Sequence, residues 1–95
     1  MRENERISRE TILNFSSYFG VGDMFAILSR RGIVDRELIL NVLDGLNDEG
    51  LICREEVGKD IWAYKSIMSF DPNSRDSKRV EREIRRRELG IHLIT

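Results

Sequence analysis

Ninety-five residues, 40% hydrophobic and 35% charged, are enough for one small domain with a core and too apolar for a wholly disordered chain. The net charge of −1 does not announce a nucleic-acid binder, and the single cysteine, Cys53, excludes an internal disulfide and a multi-cysteine metal site. No apolar run approaches the roughly 20 residues a membrane helix needs, and no secretory h-region is present, so the expected setting is intracellular, with no membrane partner.

In chain order, residues 1–7 read as a disordered, polar N-terminus. Arg9 to about Phe19 reads as a first helix, with Ser8 as its N-cap and Ile7 and Ile12 as a hydrophobic staple. Ile12, Phe15 and Phe19 share a face, and the glycines of "GVG" at 20–22 end the helix. Asp23 caps a short helix from Met24 to Arg31, stopped at Gly32. Asp35 caps a third helix from Arg36 to about Glu49, whose apolar face is Leu38, Ile39, Val42, Leu43 and Leu46. Gly50 stands where a left-handed C-cap residue belongs.

Two strand signals follow, "LICREEV" and "IWAYK", joined by a "GKD" turn. Pro72 marks a boundary, and beyond it 74–90 reads as a highly charged helix with a thin Val80/Ile84 stripe. The expected fold class is α+β: a winged helix-turn-helix over 8–70, with three helices and a two-stranded β-hairpin wing. Residues 71–95 are a linker and a basic C-terminal helix or the start of a coiled coil. A four-helix bundle is the competitor, and the "IWAYK" strand with its glycine turn argues against it. The charge is asymmetric. From Ser74 to Glu88 seven basic residues face four acidic ones, whereas from Asp23 to Lys65 six basic residues face nine acidic ones.

The stretch "GIVDRELILNVLDGLNDEGLICREEVG…WAYKS", Gly32 to Ser66, resembles the N-terminal winged-helix domain of the meiotic nuclear division protein one family. The matching features are the Gly32-Ile33 opening, Val42-Leu43 and Leu46, the acidic Asp48-Glu49 helix end, the Val57-Gly58 turn and the Trp62-Ala63-Tyr64-Lys65-Ser66 close, with Lys65 where that family has proline. The resemblance implies a nuclear, DNA-binding accessory factor of meiotic recombination. Members of that family pair through coiled coils with the homologous-pairing protein two family and stabilise RecA-like recombinase filaments.

In a winged helix the third helix enters the major groove. Its outward positions here are Arg36, Glu37, Leu40, Asn41, Asp44 and Asn47, of which Arg36 can pair with phosphate or guanine and Asn41 with adenine. The same face also reads as a solvated surface. Arg30 and Arg31 join Arg36 in the best local basic cluster; Arg54 and Lys59 are the wing cations, and Arg79, Arg82 and Arg86 can assist from the tail. The expected partner is double-stranded DNA, bound weakly because the body is acidic. The runner-up is a protein-interaction module, using Trp62 and Tyr64 on one strand face, or Val80 and Ile84 for a homodimer or protein partner. Trp62 packed on the first helix is the plainer reading of that residue. A small prokaryotic or viral transcriptional regulator is a third possibility.

No catalytic constellation is visible, so no enzyme activity, cofactor or metal is expected. His92 sits alone in "GIHLIT", the adjacent Glu55 and Glu56 point to opposite strand faces, and there is no HExxH, P-loop or paired CxxC.

Overall fold

The computed structural model describes residues 2–89. Its elements are α1 (Glu3–Leu13), α2 (Val21–Ser29), α3 (Arg36–Asp48), β1 (Ile52–Gly58), β2 (Ile61–Ser66) and α4 (Arg75–Leu89). The architecture is α+β, four helices and one antiparallel hairpin, in an order compatible with a winged-helix layout.

The N-terminal expectation is corrected. Residues 3–7 are not disordered: α1 starts at Glu3, six positions before the expected Arg9. Glu3 and Glu5 occupy its first turn, where they favour the helix dipole, and Arg6 bridges Glu3 at 2.5 Å and Glu10 at 3.1 Å. Ser8 is therefore no cap. It lies fully buried inside the helix, its hydroxyl without a hydrogen-bond partner, and Ile7 and Ile12 share one helix and make no staple. The helix closes at Asn14, and Phe19 leaves it to pair with β2. Arg9 bridges Glu49 at 2.9 Å, tying α1 to the end of α3.

Helix α2 also starts early, at Val21. Asp23 still caps it, from inside the first turn, where its carboxylate accepts the Gly20 N–H at 2.7 Å. Gly32, at φ +83°, turns the chain so that the Ile33 N–H reaches the Leu28 carbonyl at 2.9 Å. Helix α3 follows its expectation closely. The Asp35 carboxylate accepts the Leu38 N–H at 3.2 Å, and beyond Gly50, at φ +77°, the Leu51 N–H returns to Leu46 O at 3.0 Å.

In the hairpin Arg54 lies opposite Tyr64, Glu56 opposite Trp62 and Gly58 opposite Ile61, with an irregularity between Glu56 and Gly58. The turn passes through Asp60 at φ +59°, a region aspartate tolerates.

The hairpin is buried on both sides. One face joins the main core with Ile52 and Tyr64, against Ile12, Phe19, Leu43 and Leu46. The other face carries Ala63, which meets Tyr18 and Ile84 in a second small cluster with Val57, Phe70 and Val80. Successive strand residues point to opposite faces, so Ala63 and Tyr64 serve different layers. The order of layers is α1–α3, hairpin, α4. Two hydrogen bonds tie the end of β2 and the segment after it to the end of α1 and the loop beyond: Ser66 Oγ donates to Leu13 O at 2.6 Å, and the Asp71 N–H to Ser16 O at 2.6 Å.

Candidate nucleic-acid interface

Helix α3 is amphipathic because its apolar residues recur at helical spacing, and it buries Ile39, Val42, Leu43 and Leu46. That leaves Arg36, Glu37, Leu40, Asn41 and Asp44 exposed, as expected, with Asn47 half-buried. The Arg36 guanidinium lies over the Phe25 ring, 5.0 Å from its centroid, which holds it toward α2. Beside the start of α3 is a groove of about 310 Å³ lined by Glu5, Asp35, Glu37, Leu38, Asn41 and Val42. Its charged lining is wholly acidic, so a phosphate there meets repulsion.

The Arg30–Arg31–Arg36 cluster is divided. Arg31 Nη1 donates to Thr11 Oγ1 at 3.2 Å, fastening the end of α2 to α1, while Arg30 is exposed at the α2 C-cap. Helix α2 packs on α1 and α3, whereas α4 packs on β1, so these arginines and those of α4 belong to different layers.

The hairpin separates Trp62 from Tyr64, although the two share a strand face. Tyr64 is 6% exposed and stacks on Phe19 with centroids 5.7 Å apart; the core consumes it, and it cannot be a partner anchor in this fold. Trp62 is 38% exposed and does not close the core. Arg54 lies over the indole at 4.7 Å, reaching it from the diagonal position across the ladder. Lys59 and Asp60 are exposed at the turn, and Glu56 is exposed opposite Trp62.

Ser74 caps the start of α4: its hydroxyl accepts the Ser77 N–H at 3.1 Å. Ile84, 8% exposed, and half-buried Val80 face the hairpin, because the small Ala63 side chain leaves room for a helix. The expected partner stripe is thus spent within the chain. Arg79, Arg82 and Arg86 are exposed on the outside, Arg86 3.6 Å from Glu83.

Between β2 and α4 sits an arrangement the sequence did not reveal. Lys65 Nζ lies 4.8 Å from the Phe70 centroid and 5.5 Å from that of Tyr18, and the two rings meet edge to face at 4.9 Å. Burial pushes the Tyr18 phenol above its ordinary value, against the lowering influence of Lys65, with Glu55 adding to the rise. The aromatic pair at 18 and 70 had no sequence spacing that could expose it.

No family model matches this chain, and no curated protein or solved structure matches it either. Among the described residues no three His, Cys, Asp or Glu side chains group as metal ligands, and no helix is long and apolar enough to cross a membrane. Cys53 is half-buried, and His92 lies outside the described residues.

Proposed function

We propose that this chain is a winged-helix module that binds duplex DNA, and that it does so through the hairpin and α4 rather than through the face of α3. The observation that carries the reading is the docking of α4 on β1. It brackets the hairpin with cations: Arg54 on the α3 side, Lys59 at the turn, and Arg79, Arg82 and Arg86 of α4 on the far side. A ribbon that enters a groove meets phosphates on both flanks, and cations on both flanks match that demand. Helix α3 offers the opposite, an acidic groove at the end that normally reads bases. The winged-helix assignment is supported by the element order and by Phe19, which adds a one-residue bridge to β2 from the loop between α1 and α2. The likeness of Gly32–Ser66 to the meiotic accessory family supports the same reading.

The test is duplex binding against salt. Each phosphate contact adds about 0.9 to the slope of log affinity on log salt. Replacing Arg82 and Arg86 by Gln lowers that slope by roughly 2, whereas Arg36→Gln changes it little. Absence of duplex binding at low salt rejects the proposal.

A second reading is favoured by one observation. Between α2 and α3 a groove of about 370 Å³ includes Phe25, Val34 and Ile39 in its lining, and Val34 is 74% exposed. A protein partner seated there would bury that apolar surface. Light scattering of the purified chain with Val34→Glu separates this reading from the first: association lost on substitution supports it.

A further inference from the structure

We infer that the Trp62–Arg54 pair is a stacking platform for unpaired bases, so that the chain prefers nucleic acid with a single-stranded part over a blunt duplex. This rests on the nucleic-acid reading above and names the part of the ligand that the hairpin takes.

Among the aromatic side chains, Phe15, Tyr18, Phe19, Phe25, Tyr64 and Phe70 are buried or half-buried, and each meets another ring or a cation inside the fold. Trp62 alone is exposed. It lies on the face of β2 that Tyr64 fastens to the core, but nearer the turn, past the core residues. At 38% exposure the indole keeps part of its surface in water, while the Arg54 guanidinium covers one face of it. Arg54 supplies a guanidinium over the ring, and Lys59 supplies a second cation at the turn. Base stacking on such aromatic–arginine surfaces tolerates any sequence, because every base presents a π-face, and a nearby cation follows the strand's phosphates. A paired, stacked base inside a duplex cannot offer that face; an unpaired one can. Helix α3 lacks a comparable base-directed surface. Its exposed positions 36, 37, 40, 41, 44 and 48 hold one cation, three carboxylates, one leucine and one amide.

Trp62 is the only tryptophan in the chain, so its emission reports on this site alone. The experiment titrates the full chain at low salt with four probes: a blunt DNA duplex, the same duplex with a single-stranded tail, a DNA single strand and an RNA single strand. The proposal expects the tailed duplex and at least one single strand to bind tighter than the blunt duplex. The excess is roughly 5- to 150-fold, the range of one stacked base. Tryptophan emission is quenched by those probes, and Trp62→Ala, checked for folding by circular dichroism, removes the excess while Trp62→Phe keeps part of it. The two single strands distinguish a DNA from an RNA source. Equal or tighter binding of the blunt duplex, unchanged emission, or an excess that survives Trp62→Ala overturns the platform and leaves duplex binding standing. Failure of every probe to bind at low salt overturns both.

Discussion

Phe19 and Tyr64 hold each other twice. The Phe19 N–H donates to Tyr64 O at 2.9 Å, the Tyr64 N–H donates to Phe19 O at 2.8 Å, and their rings stack with an interplanar angle of 14°. The pairing locks the loop after α1 to the strand that carries Trp62, and so joins the helical layer to the hairpin. Phe19→Ala removes the ring, leaves a cavity against Met24 and Leu28, and is expected to destabilise the fold by about 3–5 kcal/mol. Urea unfolding measures it; a loss below about 1 kcal/mol would show that the stack is incidental.

Gly50 tests the backbone separately from packing. An added Cβ there meets nothing within 4 Å, so the effect of substitution is purely conformational. At φ +77° an alanine is strained, and Gly50→Ala should cost about 1–2 kcal/mol, with Gly50→Asn milder. Thermal melts of the two variants give the order directly.

The Tyr18 phenol is displaced upward, with burial as the largest cause. The unfolded chain therefore ionises first, near pH 10. Stability from this group is complete below that pH and falls as pH rises toward the folded value. Ultraviolet titration of tyrosinate should show Tyr18 ionising above its ordinary value. Lys65→Met, which removes the opposing cation, should delay it further; an earlier ionisation in that variant would contradict the geometry.

Ile84 is what attaches α4 to the hairpin. Ile84→Ala should cost about 2 kcal/mol, the low end for a large-to-small change, since the cluster is small. The loss should be local. Hydrogen exchange should accelerate in α4 while α1–α3 stay protected, and Tyr18 should titrate closer to its ordinary value. Uniform deprotection would show that α4 belongs to the main cooperative unit.

Much of this fold was legible in local chemistry. Asp35, Gly32 and Gly50 announce the limits of α3 and its preceding turn, because a capping carboxylate and a positive-φ glycine act within a few residues. Most of the failures are long-range. Phe15 and Phe19 continue the helical spacing of Ile12, yet the chain leaves the helix because Phe19 finds a backbone partner at Tyr64, far along the sequence. Ser8 reads as a cap and is a core residue for a local reason instead: Glu3, Glu5 and Arg6 set an earlier helix start. Val80 and Ile84 looked like a stripe awaiting a partner, since nothing local tells that Ala63 opens a seat for them on the hairpin. The candidate site suffered in the same way. Its charges could be read, but the acidic groove beside Arg36 is assembled from α1 and α3 together.

The hairpin and α4, not the exposed face of α3, are proposed to meet the phosphates. The most direct measurement is the salt dependence of duplex binding for the wild-type chain, for a variant with Lys59, Arg82 and Arg86 replaced by Gln, and for Arg36→Gln. The expected slope is lower by roughly 3 in the triple variant and nearly unchanged in Arg36→Gln. A slope that falls with Arg36 and ignores the other three cations would contradict it.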